Sequence, residues 1–419
     1  MIRRALRVGV TVGALAGSLV VTSSAWASSH VLWASPTGGD AACTREAPCS
    51  LVRAVRLAAA GDTVVALPGV YHGGVRFEKR LALRGRGAVI DASSTPFGNG
   101  VQIFGPGGSG SSVEGFKIEH AEFEGILVGT APVAPGTMGG TPVTSGAPVS
   151  HVRIAHNVLV DNGTGFGGTA GQCFSTPNAP GDCGETIHLV SVTDSIVAGN
   201  DVERNVGGIL LTDEFGPTSG NVIRGNRTIG NSHDCGITLA GHNSAAVNPA
   251  TGLPTGAAGV FDNVVEFNVA GDNGVAGQGA GILLGGGAPF AGVYGNLIRG
   301  NVARGNGLAG ITIHQHLVGD LNGNVIVRNH LSNDNLDGDF DFAAAVDKEK
   351  TGILVASGAP PGPALPPTLV PGPIKGTVIR GNKFSAVKVG IWTLGVDPAT
   401  TTITGNVFGA GVTTPISNN

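Results

Sequence analysis

The residues best suited to acid–base chemistry in this sequence follow copies of a short apolar motif, Gly-Ile-x-Leu or a close variant. Asp213 and Glu214 follow one copy, His242 follows the next copy, and His314 and His316 follow a later one. If the copies stack in register, these side chains occupy one face. Carboxylates there could act as acid, base or nucleophile in glycoside hydrolysis. A histidine or carboxylate could instead remove a proton beside a uronate carboxyl group. These five residues form the predicted catalytic group.

Three further residues are predicted to contact a substrate on the same face. His188 occupies an outward position in an earlier copy, Phe215 adds an aromatic ring, and Asp234 precedes the copy that leads to His242. The intervening copy ends in three glycines at residues 285–287, which leave a gap floored by glycine. The alternative for the whole group is a solvated polar rim on an inert scaffold.

An aspartate-rich segment is the candidate metal site. Asp334, Asp337, Asp339 and Asp341 lie within eight residues. Calcium prefers oxygen ligands, so calcium is the predicted metal, near Asp337, Asp339 and Asp341. An EF-hand loop would need Gly at position 342, where this chain has Phe. The alternative is a solvated acidic turn without a metal.

Short apolar strands that end in Asn recur along the chain and must position these residues. The closing Asn stands at Asn157, Asn200, Asn226, Asn268, Asn301, Asn329, Asn382 and Asn406, and a second Asn follows five residues later at Asn162, Asn205, Asn231, Asn273 and Asn306. Apolar side chains alternate within each strand, which is typical of strands with one buried face. Stacked copies would bring Asn onto Asn, where amides can hydrogen-bond along a ladder. The pattern predicts a solenoid.

The composition agrees with a glycine-rich solenoid and excludes several other classes. Of 419 residues, 71 are Gly and only 13% are charged, and the mean hydropathy is +0.22. Collagen would need Gly at every third position, and a disordered chain would be polar and highly charged. The net charge is −4 with no basic stretch beyond the N-terminus, so no nucleic-acid partner is predicted.

Residues 1–27 are predicted to be a secretory signal peptide. Arg3, Arg4 and Arg7 precede an uncharged apolar run, and Ala25-Trp26-Ala27 offers a cleavage site. The run is shorter than a membrane-spanning helix requires, and no later segment qualifies as a span. We therefore expect a secreted protein, either extracellular or in the cell envelope.

Export permits disulfide bonds between the cysteines. The most local pairing joins Cys43 to Cys49 and Cys173 to Cys183. Cys235 is left over and is predicted to be a small buried apolar residue rather than a reactive thiol.

The N-terminal segment and the repeats together resemble the right-handed parallel β-helix proteins of the pectin-lyase-like superfamily. The segment reads Pro48-Cys49-Ser50-Leu51-Val52-Arg53-Ala54-Val55, then Ala60-Gly61-Asp62-Thr63-Val64-Val65 and Pro68-Gly69-Val70-Tyr71. The resemblance implies an all-β, single-stranded solenoid with a short N-terminal capping helix, which Ser50 would begin and Gly61 would end. We expect a cap within residues 28–61 and about ten or eleven coils in residues 62–419.

Two functional hypotheses follow from the resemblance and from the predicted face. The first is an enzyme that acts on a polysaccharide as a lyase or glycoside hydrolase, in a groove along one flank. The second is a non-catalytic β-helix that binds a glycan or a cell surface, or serves as a structural rod. The downstream Arg-x-Lys of polygalacturonases and the Asp-Pro-His-Asp of alginate epimerases are absent, so no activity transfers residue by residue.

Overall fold

The computed structural model describes residues 29–130, 147–165, 185–275, 279–342 and 349–418. The first part contains β1 (Val31–Ala34), α1 (Leu51–Leu57), β2 (Thr63–Ala66), β3 (Gly69–His72), β4 (Val75–Phe77), β5 (Ala82–Asp91), β6 (Val101–Phe104), a 3-10 helix (Pro106–Gly108), β7 (Ser112–Glu119) and β8 (Ile126–Gly129). The middle part contains β9 (Val149–Ser150), β10 (Arg153–Ala155), β11 (Val158–Val160), β12 (Glu185–Val190), β13 (Val192–Thr193), β14 (Ile196–Ala198), β15 (Asp201–Glu203), β16 (Gly207–Thr212), β17 (Thr218–Ser219), β18 (Val222–Arg224), β19 (Arg227–Ile229), β20 (Ile237–Gly241), β21 (Val260–Phe261), β22 (Val264–Glu266), β23 (Val269–Gly271) and β24 (Ile282–Gly286). The last part contains β25 (Ala291–Tyr294), β26 (Leu297–Arg299), β27 (Val302–Arg304), β28 (Ile311–Gln315), β29 (Gly319–Asp320), β30 (Val325–Val327), β31 (His330–Ser332), β32 (Thr351–Ser357), β33 (Val378–Arg380), β34 (Lys383–Ser385), β35 (Val389–Leu394), β36 (Thr402–Thr404), β37 (Val407–Phe408) and β38 (Thr414–Asn418).

These strands form three parallel sheets that wrap around one core. The first sheet has eleven strands in the order β4-β6-β8-β12-β16-β20-β24-β28-β32-β35-β38, one from each coil. The second sheet takes two strands from most coils, and the third is a short sheet of β9, β13, β17, β21, β25 and β29. The predicted fold class, an all-β parallel β-helix, is confirmed.

The first sheet stacks the Gly-Ile-x-Leu motif in register from coil to coil. Its aligned isoleucines are Ile126, Ile187, Ile209, Ile237, Ile282, Ile311, Ile353 and Ile391. All of them are almost completely buried in one continuous core. This repeated burial holds the outer face of the sheet in a fixed position.

Asparagine ladders run along the corners of the coils, as predicted. One ladder joins all eight closing asparagines, each side-chain amide donating to the carbonyl oxygen of the Asn on the following coil. A second ladder joins Asn162, Asn205, Asn231, Asn273 and Asn306, and it ends on Asp334. A third ladder, of Asn221, Asn263, Asn296 and Asn324, lies at another corner.

A short helix covers the N-terminal end of the core. Ser50 caps α1 by accepting the backbone N–H of Arg53 at 3.3 Å, as expected. The helix ends at Leu57, before Gly61, and Gly61 instead adopts a positive φ in the turn that leads into β2. The apolar face of α1 packs against the first coil through Leu51, Ala54 and Val55, which are buried.

Two of the cysteine predictions fall within the described residues. The bond between Cys43 and Cys49 is confirmed, and Cys235 is free and buried. The predicted partners Cys173 and Cys183 lie outside the described residues, as does the predicted signal peptide of residues 1–27. No helix in the described part of the chain is long and apolar enough to span a membrane.

Candidate functional site

The outer face of the first sheet brings most of the predicted site residues to one flank. Side chains alternate along its strands, so the residue between two core positions points outward. His188 lies beside Leu210, and Leu210 lies beside Thr238, at successive outward positions. The segments that leave β16, β20 and β28 then extend this face with further polar groups.

The Glu214–His242 pair is the most compact acid–base unit on this face. The two residues follow neighbouring strands, β16 and β20, and Oε1 of Glu214 lies 2.7 Å from Nδ1 of His242. The side chains remain 11% and 17% exposed, so the pair reaches the protein surface. Burial by itself would raise the pKa of Glu214, but the hydrogen bond and charge of His242 outweigh it and lower the pKa to about 2.

A chain of contacts between buried polar side chains leads from Glu124 to Glu214. Oε1 of Glu124 lies 3.5 Å from Nδ1 of His188, and Nε2 of His188 lies 2.9 Å from Oγ1 of Thr212. His188 and Thr212 both contribute to the low pKa of Glu214. The chain extends through Glu214 to His242 and crosses four successive coils, although His188 itself has no exposed surface.

Asp213 anchors the loop that begins with His242. Its Oδ1 accepts the backbone N–H groups of His242 at 2.6 Å and Asn243 at 3.1 Å. Its Oδ2 accepts the N–H of Gly259 at 2.7 Å. Burial raises the pKa of Asp213 to about 7, although the backbone bonds oppose that rise. These contacts make Asp213 a positioning residue that ties both ends of the 242–259 loop.

Three consecutive glycines at the end of β24 leave space for the His242 ring. Gly285 and Gly286 end β24, and Gly287 follows them. A Cβ atom on Gly287 would lie only 3.0 Å from Cδ2 of His242. A side chain at position 287 would therefore force the imidazole to shift by a few tenths of an ångström, and the predicted glycine gap leaves space for the His242 ring.

His314 forms the centre of a second polar group, two coils further along the face. Its Nε2 lies 2.7 Å from Oδ2 of Asp339, and its Nδ1 lies 3.5 Å from Oδ2 of Asp341. Burial alone would lower the pKa of His314, but the two carboxylates outweigh it and raise that pKa. Asp339 has almost no exposed surface, whereas the side chain of Asp341 is 37% exposed.

His316 completes the second group in a more apolar setting. Its ring centroid lies 5.5 Å from that of His314 and 4.6 Å from that of Phe342. Burial is the main cause that lowers the pKa of His316, to about 4. Its Nδ1 is buried without a hydrogen-bond partner among the described residues.

The predicted catalytic residues therefore share one face but form two groups. Gly241, Gly286 and Gln315 are aligned partners on β20, β24 and β28, so His242 and His316 follow the same column. Two coil steps separate them, which corresponds to about 10 Å.

The two remaining predicted substrate contacts lie beside these groups. Phe215 packs on the outward side chains of Leu127 and Val190. Asp234 is a hydrogen-bond partner of Glu185, and burial is the main cause that raises its pKa. Both side chains pack against Gly207, where a Cβ would lie 3.1 Å from Cγ of Glu185 and 3.2 Å from Cβ of Asp234.

The aspartate-rich segment does not gather its four carboxylates at one point. Asp334 closes the second ladder, Asp337 is exposed beside Gly307, and Asp339 contacts His314. The three groups whose ligand atoms lie within 4.8 Å of one another are His314, His316 and Asp341. A possible metal-binding group is thus present, and calcium as its ion stays a prediction.

Sequence reasoning missed Glu124, Glu185, Thr212 and Gly287. Glu124 and Glu185 each stand two residues before the motif isoleucine. Aligning the residues that precede each copy, as well as those that follow it, would have revealed this second polar column. The sequence indicated Gly287 only as part of a glycine gap, because its contact with His242 depends on the path of the loop that begins at His242.

The chain resembles known proteins in its fold rather than in its sequence. No protein-family model and no characterised protein matches it by sequence. Among solved structures, the A-module of the Azotobacter vinelandii mannuronan C-5 epimerase AlgE4 is similar, with 15% identity and a TM-score of 0.51 over 88% of this chain and 93% of that one. The AlgE6 A-module from the same organism has 16% identity and a TM-score of 0.54 over 87% and 89%. An endo-xylogalacturonan hydrolase from Aspergillus tubingensis has 11% identity and a TM-score of 0.48 over 92% and 93%. The chain has a parallel β-helix fold.

Proposed function

We propose that the protein is a secreted carbohydrate-active enzyme that abstracts a proton from a uronate-containing polysaccharide, with His242 as the base. The observation that supports this most directly is the Glu214–His242 pair, a buried carboxylate bonded to a partly exposed imidazole. Both epimerase modules carry mannuronan in their names, which agrees with a uronate substrate, although their likeness concerns the fold.

The pair is arranged as a histidine base with an orienting carboxylate. In the neutral form of His242, the Glu214 carboxylate accepts the Nδ1–H across the 2.7 Å contact, which leaves the lone pair on Nε2, directed away from Glu214. Nε2 would take the proton on the carbon beside a uronate carboxyl group. In elimination, the electron pair of that C–H bond forms a double bond while the neighbouring glycosidic C–O bond breaks, and the departing oxygen keeps the C–O electron pair and takes a proton from water. Glu214 stabilises the imidazolium that forms.

The carboxyl geometry favours proton abstraction over glycoside hydrolysis. Glycosidases hold two carboxyl groups about 5–9.5 Å apart, with the scissile bond between them. Glu185 is almost fully buried and interacts with Asp234, and both side chains pack against Gly207, so they are not two carboxyl groups on either side of an open cleft. Asp213 is held by three backbone N–H groups, and a Glu214 pKa of about 2 removes it as a neutral-pH acid.

An activity screen on polysaccharides tests the proposal. The full-length protein as secreted by its host would be incubated with alginate, polygalacturonate and a neutral xylan. Ultraviolet absorbance reports the unsaturated uronate of elimination, reducing-end assays report cleavage of either kind, and proton exchange in deuterated water reports abstraction alone. We expect unsaturation or exchange on a uronate polymer, and His242→Ala should lower the rate by about 100-fold or more.

The matched control is His330→Ala, because His330 is an exposed histidine on the second sheet, away from the Glu214–His242 pair. Full activity of His242→Ala would overturn the assignment of the base. New reducing ends without unsaturation or exchange would indicate a hydrolase. Absence of any reaction on all three polymers would favour the non-catalytic binding hypothesis.

A further inference from the structure

We propose that His314, His316 and Asp341 bind a transition-metal ion such as Zn²⁺, with Asp339 positioning one of the histidine ligands. This inference is independent of the Glu214–His242 pair, since it concerns the second polar group and is tested by metal binding without any substrate. It also replaces calcium, which the aspartates alone predicted, by an ion that prefers nitrogen ligands.

The strand geometry places both imidazoles on one side. His314 belongs to β28 and His316 follows its last residue, Gln315. Side chains two residues apart on an extended chain point to the same face. The ring centroids lie 5.5 Å apart with the planes at 63°, so the two rings converge without stacking.

Asp339 prepares His314 for metal binding. Histidine ligands in metal sites commonly donate their other ring N–H to a carboxylate, which fixes the tautomer. Asp339 occupies that place, 2.7 Å from Nε2, and it is almost fully buried. With the proton held on Nε2, the lone pair of Nδ1 faces Asp341.

The spacing of the ligand atoms suits an ion between them. Nδ1 of His314 and Oδ2 of Asp341 are 3.5 Å apart. Two ligands bound at about 2.1 Å to a tetrahedral ion lie about 3.4 Å from each other. One ligand atom from each of the three residues lies within 4.8 Å of the others, so small side-chain movements would close the set.

The surrounding contacts hold the set in shape. The backbone N–H of Asp341 donates to Oδ1 of Asp339 at 3.0 Å, which links the carboxylate ligand to the positioning carboxylate. The Phe342 ring packs edge-on against His314 at 5.1 Å and contacts His316 at 4.6 Å. This ring restricts both imidazoles and excludes water from one side.

The donor set decides the class of metal. Calcium and magnesium take oxygen ligands, whereas imidazoles suit zinc, copper, iron and nickel. Two histidines with one carboxylate are the protein ligands of several catalytic zinc sites, in which water or substrate takes the remaining position. The site therefore fits a Lewis-acid metal better than a structural calcium.

Metal titration of the untagged full-length protein tests the site. After treatment with chelator, Zn²⁺, Co²⁺ or Ca²⁺ would be added alone, with stoichiometry measured by mass spectrometry and affinity by calorimetry. We expect one Zn²⁺ or Co²⁺ per chain, a Co²⁺ visible spectrum typical of nitrogen ligation, and no competition from excess Ca²⁺. His316→Gln and Asp341→Asn should each weaken Zn²⁺ binding at least tenfold.

The positioning role of Asp339 has its own readout. Asp339→Asn should weaken Zn²⁺ binding by about 10–100-fold and should also shift the Co²⁺ spectrum, which a general loss of stability would not do. Asp337→Asn is the matched control, because Asp337 is an exposed aspartate of the same segment.

Three outcomes would overturn the inference. One is the absence of Zn²⁺ and Co²⁺ binding to the wild-type chain, which would leave His314 in a purely structural ion pair. Another is unchanged Zn²⁺ affinity in both His316→Gln and Asp341→Asn. The third is Ca²⁺ binding that Asp337→Asn abolishes. Asp341 is partly exposed, so its variant keeps the test valid if the histidine variant does not fold.

Discussion

Asp213 and Glu214 are neighbours in the sequence, but their carboxyl groups serve different purposes. Asp213 is fully buried and receives three backbone N–H bonds. Glu214 lies nearer the surface and faces an imidazole. One side chain holds a loop in place, and the other contacts the imidazole of His242, the first residue of that loop. A single step along the chain separates the two roles.

Asp334 is a buried carboxylate at the end of a ladder whose other members are asparagines. The second ladder runs through five asparagines and then reaches Asp334, whose Oδ1 accepts the side-chain amide of Asn306 at 2.7 Å. Burial is the main cause that raises the pKa of Asp334 to about 8, and the charge of Asp272 adds to the rise. An Asn at this position would keep the oxygen that accepts from Asn306 and remove the titratable group, but its Nδ2 could not accept the Ser332 N–H that Oδ2 of Asp334 accepts at 3.1 Å.

We predict that Asp334→Asn stabilises the protein in a pH-dependent way. Because the folded-state pKa of about 8 lies above the ordinary 3.8, the folded state binds the proton more tightly, and wild-type stability falls as pH rises between these values. The thermal midpoint of the variant should exceed that of wild type at about pH 8 and should approach it at about pH 4. The same difference in midpoint at both pH values would contradict the prediction.

At the scale of the element, the corners of the coils depend on a left-handed backbone conformation. The residue before a closing Asn has a positive φ in coil after coil, as in Gly225 at 61° and Gly300 at 65°. Phe267 and Arg328 adopt the same conformation at 55° and 56°. Glycine adopts this left-handed conformation without strain, whereas for other residues the conformation costs about 1–2 kcal/mol of free energy.

Two glycine substitutions separate backbone strain from packing. Gly225→Ala should lower the free energy of unfolding by about 1–2 kcal/mol, because its φ is positive while no atom lies within 4 Å of the added Cβ. Gly372→Ala is the control, since that position is equally open and has no positive φ. Urea unfolding of both variants gives the comparison. Equal losses would show that the corners are not selected for their φ.

At the scale of the whole molecule, the ladders couple each coil to its neighbours. Asn268 is buried and its side chain takes part in four ladder bonds, to Asn226, Asn301 and the Ile223 carbonyl. Asn406 stands at the end of the same ladder, is only half-buried, and its side chain takes part in three bonds. Asparagine therefore makes more hydrogen bonds, and is more deeply buried, in the middle of the ladder than at its end.

We predict that Asn268→Ala is much more destabilising than Asn406→Ala. The first change leaves buried polar groups of Asn226 and Ile223 without partners, which costs about 1–3 kcal/mol for each group. At Asn406, water can replace the lost bonds, so we expect about 1 kcal/mol or less. Thermal and urea unfolding would measure both. Equal destabilisation would mean that the ladder acts only locally.

The fold was far more predictable from the sequence than the site was. Strand period, motif isoleucines and ladder asparagines repeat many times, so each copy supports the next, and their alignment appears in the structure as expected. The predicted acid–base residues occur once each, and their partners depend on loop paths. The contact of His242 with Glu214 and Gly287, and that of His314 with Asp339, join segments whose approach no repeat encodes.

The coil of β24, which ends in glycine, lies between the two polar groups, so the spacing of the coils sets the distance between the groups. Both groups follow strands of the same sheet, and β20, β24 and β28 pair in register, so two coil steps of about 4.8 Å separate the groups. A point mutation can change what either group binds, but only the gain or loss of an entire coil can change how far apart they stand. A ligand that touches both groups must therefore span at least this interval.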